Sequence, residues 1–201
     1  MRLRGLCGLT VLSACVTVAP LTPHTLPATD WPADTQVHWY DVTGATAAEL
    51  RAQLELRGPE DAAGARHDAY TEWYVTWHFP MVMTESGCST GPVATTLRVM
   101  VRFPRWQSAP VVEAGLLEQW ERYLAALFQH ESGHRDTALR AAHEISEVLG
   151  AFEQLPSCPE PEVVASAAHA VVEKYRKADV EYDEETRHGE TQGAVFPEPS
   201  P

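Results

Sequence analysis

Three features of the sequence predict an α+β fold: two segments of alternating character, Tyr70 to Phe79 and Val93 to Phe103; one long stretch, Glu118 to Phe152, with apolar residues at steps of three or four and no proline; and a second helical stretch from about Pro161 to Glu181. A period of two fits a strand with one buried face, and a period near 3.6 fits a helix with one buried stripe. Such elements are stable only when packed on each other, so the expectation is a small antiparallel or mixed sheet against the long helix and a second, C-terminal helix. A chain of 201 residues, less its terminal segments, holds one core rather than two.

The elements follow in chain order. Met1 to Cys15 has a basic start (Arg2, Arg4), a short apolar run, and Leu12-Ser13-Ala14-Cys15, which reads as a lipoprotein signal cleaved before Cys15, the lipidated residue. The run is too short to span a bilayer, so a lipid anchor at Cys15 is the only membrane attachment expected, with an ordinary cleaved signal as the plainer alternative. Residues 16–35, rich in Pro and Thr (Pro20, Pro23, Pro27, Pro32), read as a spacer, 36–197 as the single domain and 198–201 as a tail. Gln36 to Val42 reads as a strand, and Thr46-Ala47-Ala48-Glu49 matches a capping box opening a helix to about Leu56, ended by Gly58-Pro59.

In the next strand Thr71, Trp73, Val75, Trp77 and Phe79 share one face. In the following one Val93, Leu97, Val99, Val101 and Phe103 point inward, Arg98 and Arg102 outward, and Pro104 is expected to stop the strand. The two are expected to pair as antiparallel neighbours across the loop containing Cys88. After the two helices, an irregular tail is expected from Tyr182 onward.

The formal net charge is −13, and −15 once Arg2 and Arg4 leave with the signal. Such a surface argues against nucleic acid and against an anionic membrane surface as direct partners. Of four cysteines, Cys7 leaves with the signal and Cys15 takes the lipid, which leaves Cys88 and Cys158 as the pair expected to form a disulfide in an oxidising compartment. Closing a loop of that length stabilises a fold by about 4 kcal/mol. Two unpaired thiols are the alternative.

Within the long helix stands His130-Glu131-Ser132-Gly133-His134, the pattern H-E-x-x-H. Residues four apart share a helix face, so both imidazoles can bind one ion without moving the backbone, and Glu131, about 100° further round, reaches a water on that ion. The apolar stripe Trp120, Leu124, Leu127, Ala138, Ala141, Ile145 continues through His134, with His130 beside it. Two inward imidazoles need a partner for their lone pairs; zinc is one, and ordinary core hydrogen bonds are the other. Gly133 leaves room for something to approach closely.

A catalytic zinc takes three protein ligands and leaves one position open. His143 lies about 180° away around the helix from His134, and Glu144 about 15 Å along it, so neither fits. The polar cluster Tyr182-Asp183-Glu184-Glu185-Thr186-Arg187-His188-Gly189 is the best source, with His188 as the expected ligand and Asp183 or Glu185 as alternatives. His67, His78 and His169 lack a supporting pattern and read as surface residues.

Together with Tyr40-Asp41-Val42-Thr43-Gly44 and Phe103-Pro104-Arg105-Trp106, these two motifs give the chain a resemblance, over about Gln36 to Pro197, to the bacterial family of predicted secreted zinc-dependent proteases catalogued as domain of unknown function 922. The resemblance implies a zincin-like fold, a bound Zn2+ and peptide or protein substrates. In the expected mechanism zinc on His130, His134 and His188 activates a water, and Glu131 takes its proton and passes it to the leaving amine. Tyr182 or Arg187 is the candidate oxyanion donor, Tyr182 being equally suited to anchor the last helix. The function expected is a zinc-dependent metallopeptidase exported to the bacterial envelope, periplasm or outer membrane, where Val16 after the lipidated cysteine favours the outer. The alternatives are a zinc-binding interaction lipoprotein without turnover, or a zinc hydrolase of cell-wall peptides.

Overall fold

The computed structural model describes residues 22–24, 32, 34–85, 87–152 and 157–197. The expected signal with its lipidation residue Cys15, and the tail 198–201, lie outside the described residues. The elements are β1 (Thr22–His24), β2 (Thr35–Gly44), α1 (Ala47–Arg57), β3 (Tyr70–His78), β4 (Met81–Thr84), β5 (Gly87–Thr90), β6 (Ala94–Ser108), α2 (Leu116–Phe152), α3 (Pro161–Thr186) and a short 3-10 turn, Glu190–Gln192. The fold is α+β, a small mixed sheet with one long helix and a C-terminal one, as the periodicities predict.

The main sheet is organised on β6. Along one side β2 runs parallel, from Thr35 opposite Val99 to Gly44 opposite Ser108. Along the other side β3 and β1 run antiparallel, β3 from Tyr70 opposite Arg102 to His78 opposite Ala94, and β1 from Thr22 opposite Ser108 to His24 opposite Trp106. The antiparallel pairing of the two alternating segments is therefore as expected. Between them β4 and β5 form a two-stranded hairpin. Cys88, expected in a loop, lies in β5, and its side chain is outside those described; Cys158 is half-buried between α2 and α3.

Pro104 does not end its strand, and β6 continues to Ser108. Proline is excluded from a sheet interior because it cannot donate to the ladder. Here β3 pairs with β6 only as far as Arg102 and β1 only from Trp106, so among the described residues no strand pairs with 103–105 on that side, where a residue without an N–H is tolerated. The buried residues of β6 change at this point from Val99, Val101 and Phe103 to Trp106 and Ser108, while the pairing with β2 stays continuous. Successive side chains point to opposite faces. Opposite faces of the strand are thus covered before and after Pro104.

Residues 22–24, expected within the spacer, form β1 because the far end of β6 offers a free edge. His24 Nε2 lies 2.9 Å from Ser108 Oγ, and the Trp120 indole N–H donates to the His24 carbonyl at 3.4 Å.

The capping box of α1 is formed as predicted: Thr46 Oγ1 accepts from the Glu49 N–H and Glu49 Oε2 from the Thr46 N–H. Leu50 and Leu54 of that helix join Val42, Val99, Phe103 and Trp106 in the main core, which α2 closes with Trp120, Tyr123, Leu124 and Leu127. Each large apolar side chain buried there contributes about 1.5–3 kcal/mol. A second cluster, Ile145 and Leu149 of α2 against Val164, Ala168 and Val171 of α3, fastens the far end of the helix pair.

Candidate metal centre

α2 and α3 also meet at the middle of α2, and there the contact is polar. His130 and His134 are 4 % and 8 % exposed, and their rings stand 5.0 Å apart and nearly perpendicular. Helical periodicity brings them to one face. Asp183 faces them from α3, its Oδ1 lying 3.2 Å from His130 Nε2 and 3.1 Å from His134 Nε2. The other ring nitrogens are also held: His134 Nδ1 lies 3.1 Å from Asp179 Oδ1, and His130 Nδ1 lies 3.1 Å from Gln192 Oε1. Both acceptors favour the Nδ1–H tautomer, which leaves each Nε2 lone pair aimed at the Asp183 oxygen.

Three acceptors aimed at one point repel each other unless a cation lies between them. Without a metal, protons do this work. Burial disfavours the charged form of His134, but the hydrogen bonds to Asp179 and Asp183 outweigh it and push its pKa up to about 10. Burial raises the Asp183 carboxyl, and His130 and His134 more than offset it, holding the acid well below the usual carboxylate range. A divalent ion replaces those protons with a single doubly charged centre. Among the described residues, His130, His134 and Asp183 form a group whose ligand atoms all lie within 4.8 Å of one another and which could hold a metal ion. Two imidazoles and a carboxylate on an open cleft suit a catalytic zinc, which fits the donor set.

Glu131 is 2 % exposed and accepts a 2.6 Å hydrogen bond from the Thr71 hydroxyl of β3. Burial pushes its pKa up, against the pull of His134, His130 and the Thr71 bond. It lines the same cleft as the three metal-site residues, a cavity of about 750 Å³ between the 59–69 loop, β3, α2, α3 and the C-terminal segment.

His188 stands outside the group. It is 62 % exposed, with Nδ1 3.5 Å from Asp183 Oδ1 and its ring 5.5 Å from that of His67. The reason is that α3 does not end at Glu181 but continues to Thr186. Continuation places Asp179 and Asp183 one turn apart on the face toward α2, and the chain turns away only at Arg187 and His188, both left-handed (φ 51° and 53°). Left-handed backbone costs such residues about 1–3 kcal/mol each, so the turn is imposed by its surroundings. The next residue, Gly189, packs against the site itself: a Cβ there would come within 3.1 Å of the His130 ring.

Tyr182 also lies in α3. Its ring stacks on His130 at 5.2 Å, and its hydroxyl donates to the His130 carbonyl at 3.2 Å and accepts from Gln192 Nε2 at 3.0 Å. That hydroxyl faces α2 and not the cleft. Tyr182 is what Gly133 makes room for, since a Cβ at 133 would meet its oxygen at 2.3 Å. Glu144 serves elsewhere, bound to Lys174 at 2.6 Å. His67 is not a plain surface residue, because it lines the cleft and meets Asp61 at 3.0 Å.

Asp179, Gln192 and Thr71 have no place in the sequence-based expectation. Thr71 carried one signal, a hydroxyl on the inward face of an alternating strand, and Asp179 another, its four-residue spacing from Asp183; Gln192 carried none.

A family model described as a bacterial protein of unknown function, DUF922, matches residues 37–189. No curated protein and no solved structure matches the chain.

Proposed function

The chain belongs to the bacterial DUF922 family, and from that premise we propose that it is a zinc-dependent metallopeptidase hydrolysing peptide bonds in the bacterial cell envelope. One observation carries the reading: His130 Nε2 and His134 Nε2 converge on one Asp183 oxygen beside the buried carboxylate of Glu131, on the wall of an open cleft.

His130, His134 and Asp183 would hold the ion. When bound, zinc supplies Lewis-acid polarisation of a carbonyl and acidifies a water in the cleft. Asp179 and Gln192 keep the two imidazoles in the tautomer and orientation that presents Nε2. Glu131 is the group that accepts the proton and returns it to the leaving amine; its burial raises its affinity for that proton, as a general acid and base at neutral pH requires. Thr71 fixes the carboxylate by donating to Oε2. Tyr182 contributes by packing α3 on α2 rather than by touching substrate.

The location is part of the proposal. It is supported by the signal-like start and Cys15, and by the two cysteines of the body, Cys88 and Cys158, which we propose are joined in the oxidising envelope. No helix of the described residues is long and apolar enough to cross a membrane.

Elemental mass spectrometry tests the site. Near-stoichiometric zinc is expected in the wild type and in His188→Ala, and its loss in Asp183→Ala. Iron in its place would redirect the reading, since two histidines and one carboxylate also suit non-haem iron. With zinc present, Glu131→Gln is expected to keep the metal and lose hydrolysis of a peptide library. A wild type that binds zinc and cleaves nothing in the library would make it a zinc-binding interaction protein.

A further inference from the structure

The cleft is lined by four arginines, and three of them are engaged. Arg51 clasps Asp68 through both terminal nitrogens, at 2.7 Å for the Nη1 bond. Arg66 is paired with Glu60 and donates to the Gly58 carbonyl at 2.6 Å. Arg176 donates to the Trp73 carbonyl at 2.8 Å and lies over the Trp73 ring. Arg187 differs, because among the described residues its guanidinium has no hydrogen-bond or ion-pair partner. This is so although Glu184, Glu185 and Glu190 are close in sequence and the chain carries a net charge of −13.

The backbone accounts for it. Arg187 is fixed at φ 51°, ψ 51° by its N–H, which donates to the Asp183 and Glu184 carbonyls. That conformation brings its side chain to the cleft rather than along the helix surface. Arg176, Asp179, Val180 and Asp183 share one face of α3, and Arg187, the residue that caps the helix, lines the same cleft. Arg187 stands one turn beyond Asp183, about 6 Å along the axis, the length of about two residues of extended peptide. One turn before Asp183, Val180 is 57 % exposed. Val180 and Arg176, whose guanidinium is engaged by Trp73, thus lie on one side of Asp183, and Arg187 lies on the other.

We infer that Arg187 is a specificity-determining residue that binds a carboxylate of the substrate within about two residues of the bond to be cleaved. A planar guanidinium with unused N–H donors matches a carboxylate in two parallel hydrogen bonds, and no group of the described chain competes for it. The carboxylate is either the peptide's own C-terminus or an acidic side chain. The inference rests on the hydrolase reading for the bond to be cleaved; the carboxylate site itself does not.

Three fluorescein-labelled probes test it on the full, zinc-supplied chain: tetra-alanine with a free C-terminus, its C-terminal amide, and the amide with glutamate as its third residue. Binding is read at 4 °C by fluorescence anisotropy, and hydrolysis in the same samples by mass spectrometry. At least one carboxylate probe is expected to bind the wild type tenfold or more tightly than the neutral amide, and which of them does so identifies the source of the carboxylate. Arg187→Gln is expected to remove that difference and leave the neutral amide unchanged. Arg187→Gly is expected to do the same, and its glycine suits the left-handed backbone, which keeps the test open should the glutamine variant fold poorly. Equal binding of all three probes, no binding of any, or a preference that survives in both variants overturns the inference. Probes that bind with this preference yet stay intact would remove the hydrolase reading and leave Arg187 in place.

Discussion

The same two helices meet twice, and the two contacts are built on opposite principles. At Ile145 and Leu149, α2 meets α3 through aliphatic side chains that are wholly buried and need nothing further. At His130 and His134 it meets α3 through buried imidazoles and half-buried carboxylates that are satisfied only by protons or an ion. Burying charged groups costs several kcal/mol each, and pairing recovers that cost only when the geometry is good. The apolar contact therefore holds the helices so that the polar one can be kept in a strained state of charge.

The widest separation between the two contacts is expected from truncating the apolar one. Leu149→Ala should cost about 2–5 kcal/mol in urea unfolding, with metal content per folded molecule unchanged. Loss of zinc in that variant under native conditions would show that the two contacts form one unit. Metal removal is the reciprocal perturbation. Zinc at one hundred times its dissociation constant stabilises by about 2.7 kcal/mol, so chelation should lower the melting temperature and speed amide hydrogen exchange around 130–134 and 179–186. Exchange around 145–149 should hold. Uniform acceleration along α2 would defeat the division.

A smaller effect is expected one step behind the metal. Asp179 holds His134 Nδ1 and also accepts the Trp73 indole N–H at 2.5 Å, so it ties the imidazole to β3. Asp179→Asn should weaken zinc binding about 10- to 100-fold with the ligand set intact. An unchanged affinity in a competition titration would mean that packing alone orients the ring.

What the sequence disclosed follows the same division between local and tertiary causes. The pair His130 and His134, the capping box at Thr46 and the antiparallel strands were legible because each depends on spacing within one segment. Asp183, the third member of the possible metal group, was legible only as an alternative to His188, because Glu181 resembles a helix end on composition, whereas packing on α2 carries α3 on to Thr186. Gly189, whose hydrogen the His130 ring requires, was the better terminator and lay in plain view. β1 and the continuation through Pro104 depend on which strand edges are free, and no single segment records that. Gly133 was read correctly as making room, but its partner Tyr182 could be named only from the packed helices.

A third region of α2 sharpens the comparison by using neither a possible metal group nor aliphatic packing. Tyr123 donates to Asp68 Oδ2 at 2.7 Å, Tyr40 donates to the Asp68 carbonyl at 2.5 Å, and Arg51 neutralises the carboxylate. Burial first, and the neighbouring Asp68 charge second, push both phenols well above their ordinary pKa of 10.0. The sign follows from which state binds protons more tightly. Below about pH 10 both phenols are protonated in either state and the network contributes fully. Above it the unfolded chain releases protons that the folded one keeps, so stability falls by up to about 1.4 kcal/mol per pH unit for each tyrosine. Tyr40→Phe should remove its share of that slope in unfolding curves taken from pH 9 to 11, while the apolar contact at Leu149, which has nothing to titrate, shows the same truncation cost throughout. A slope unchanged by Tyr40→Phe would place the alkaline limb in other groups and leave Tyr40 as a hydrogen-bond donor whose proton does not distinguish folded from unfolded chain.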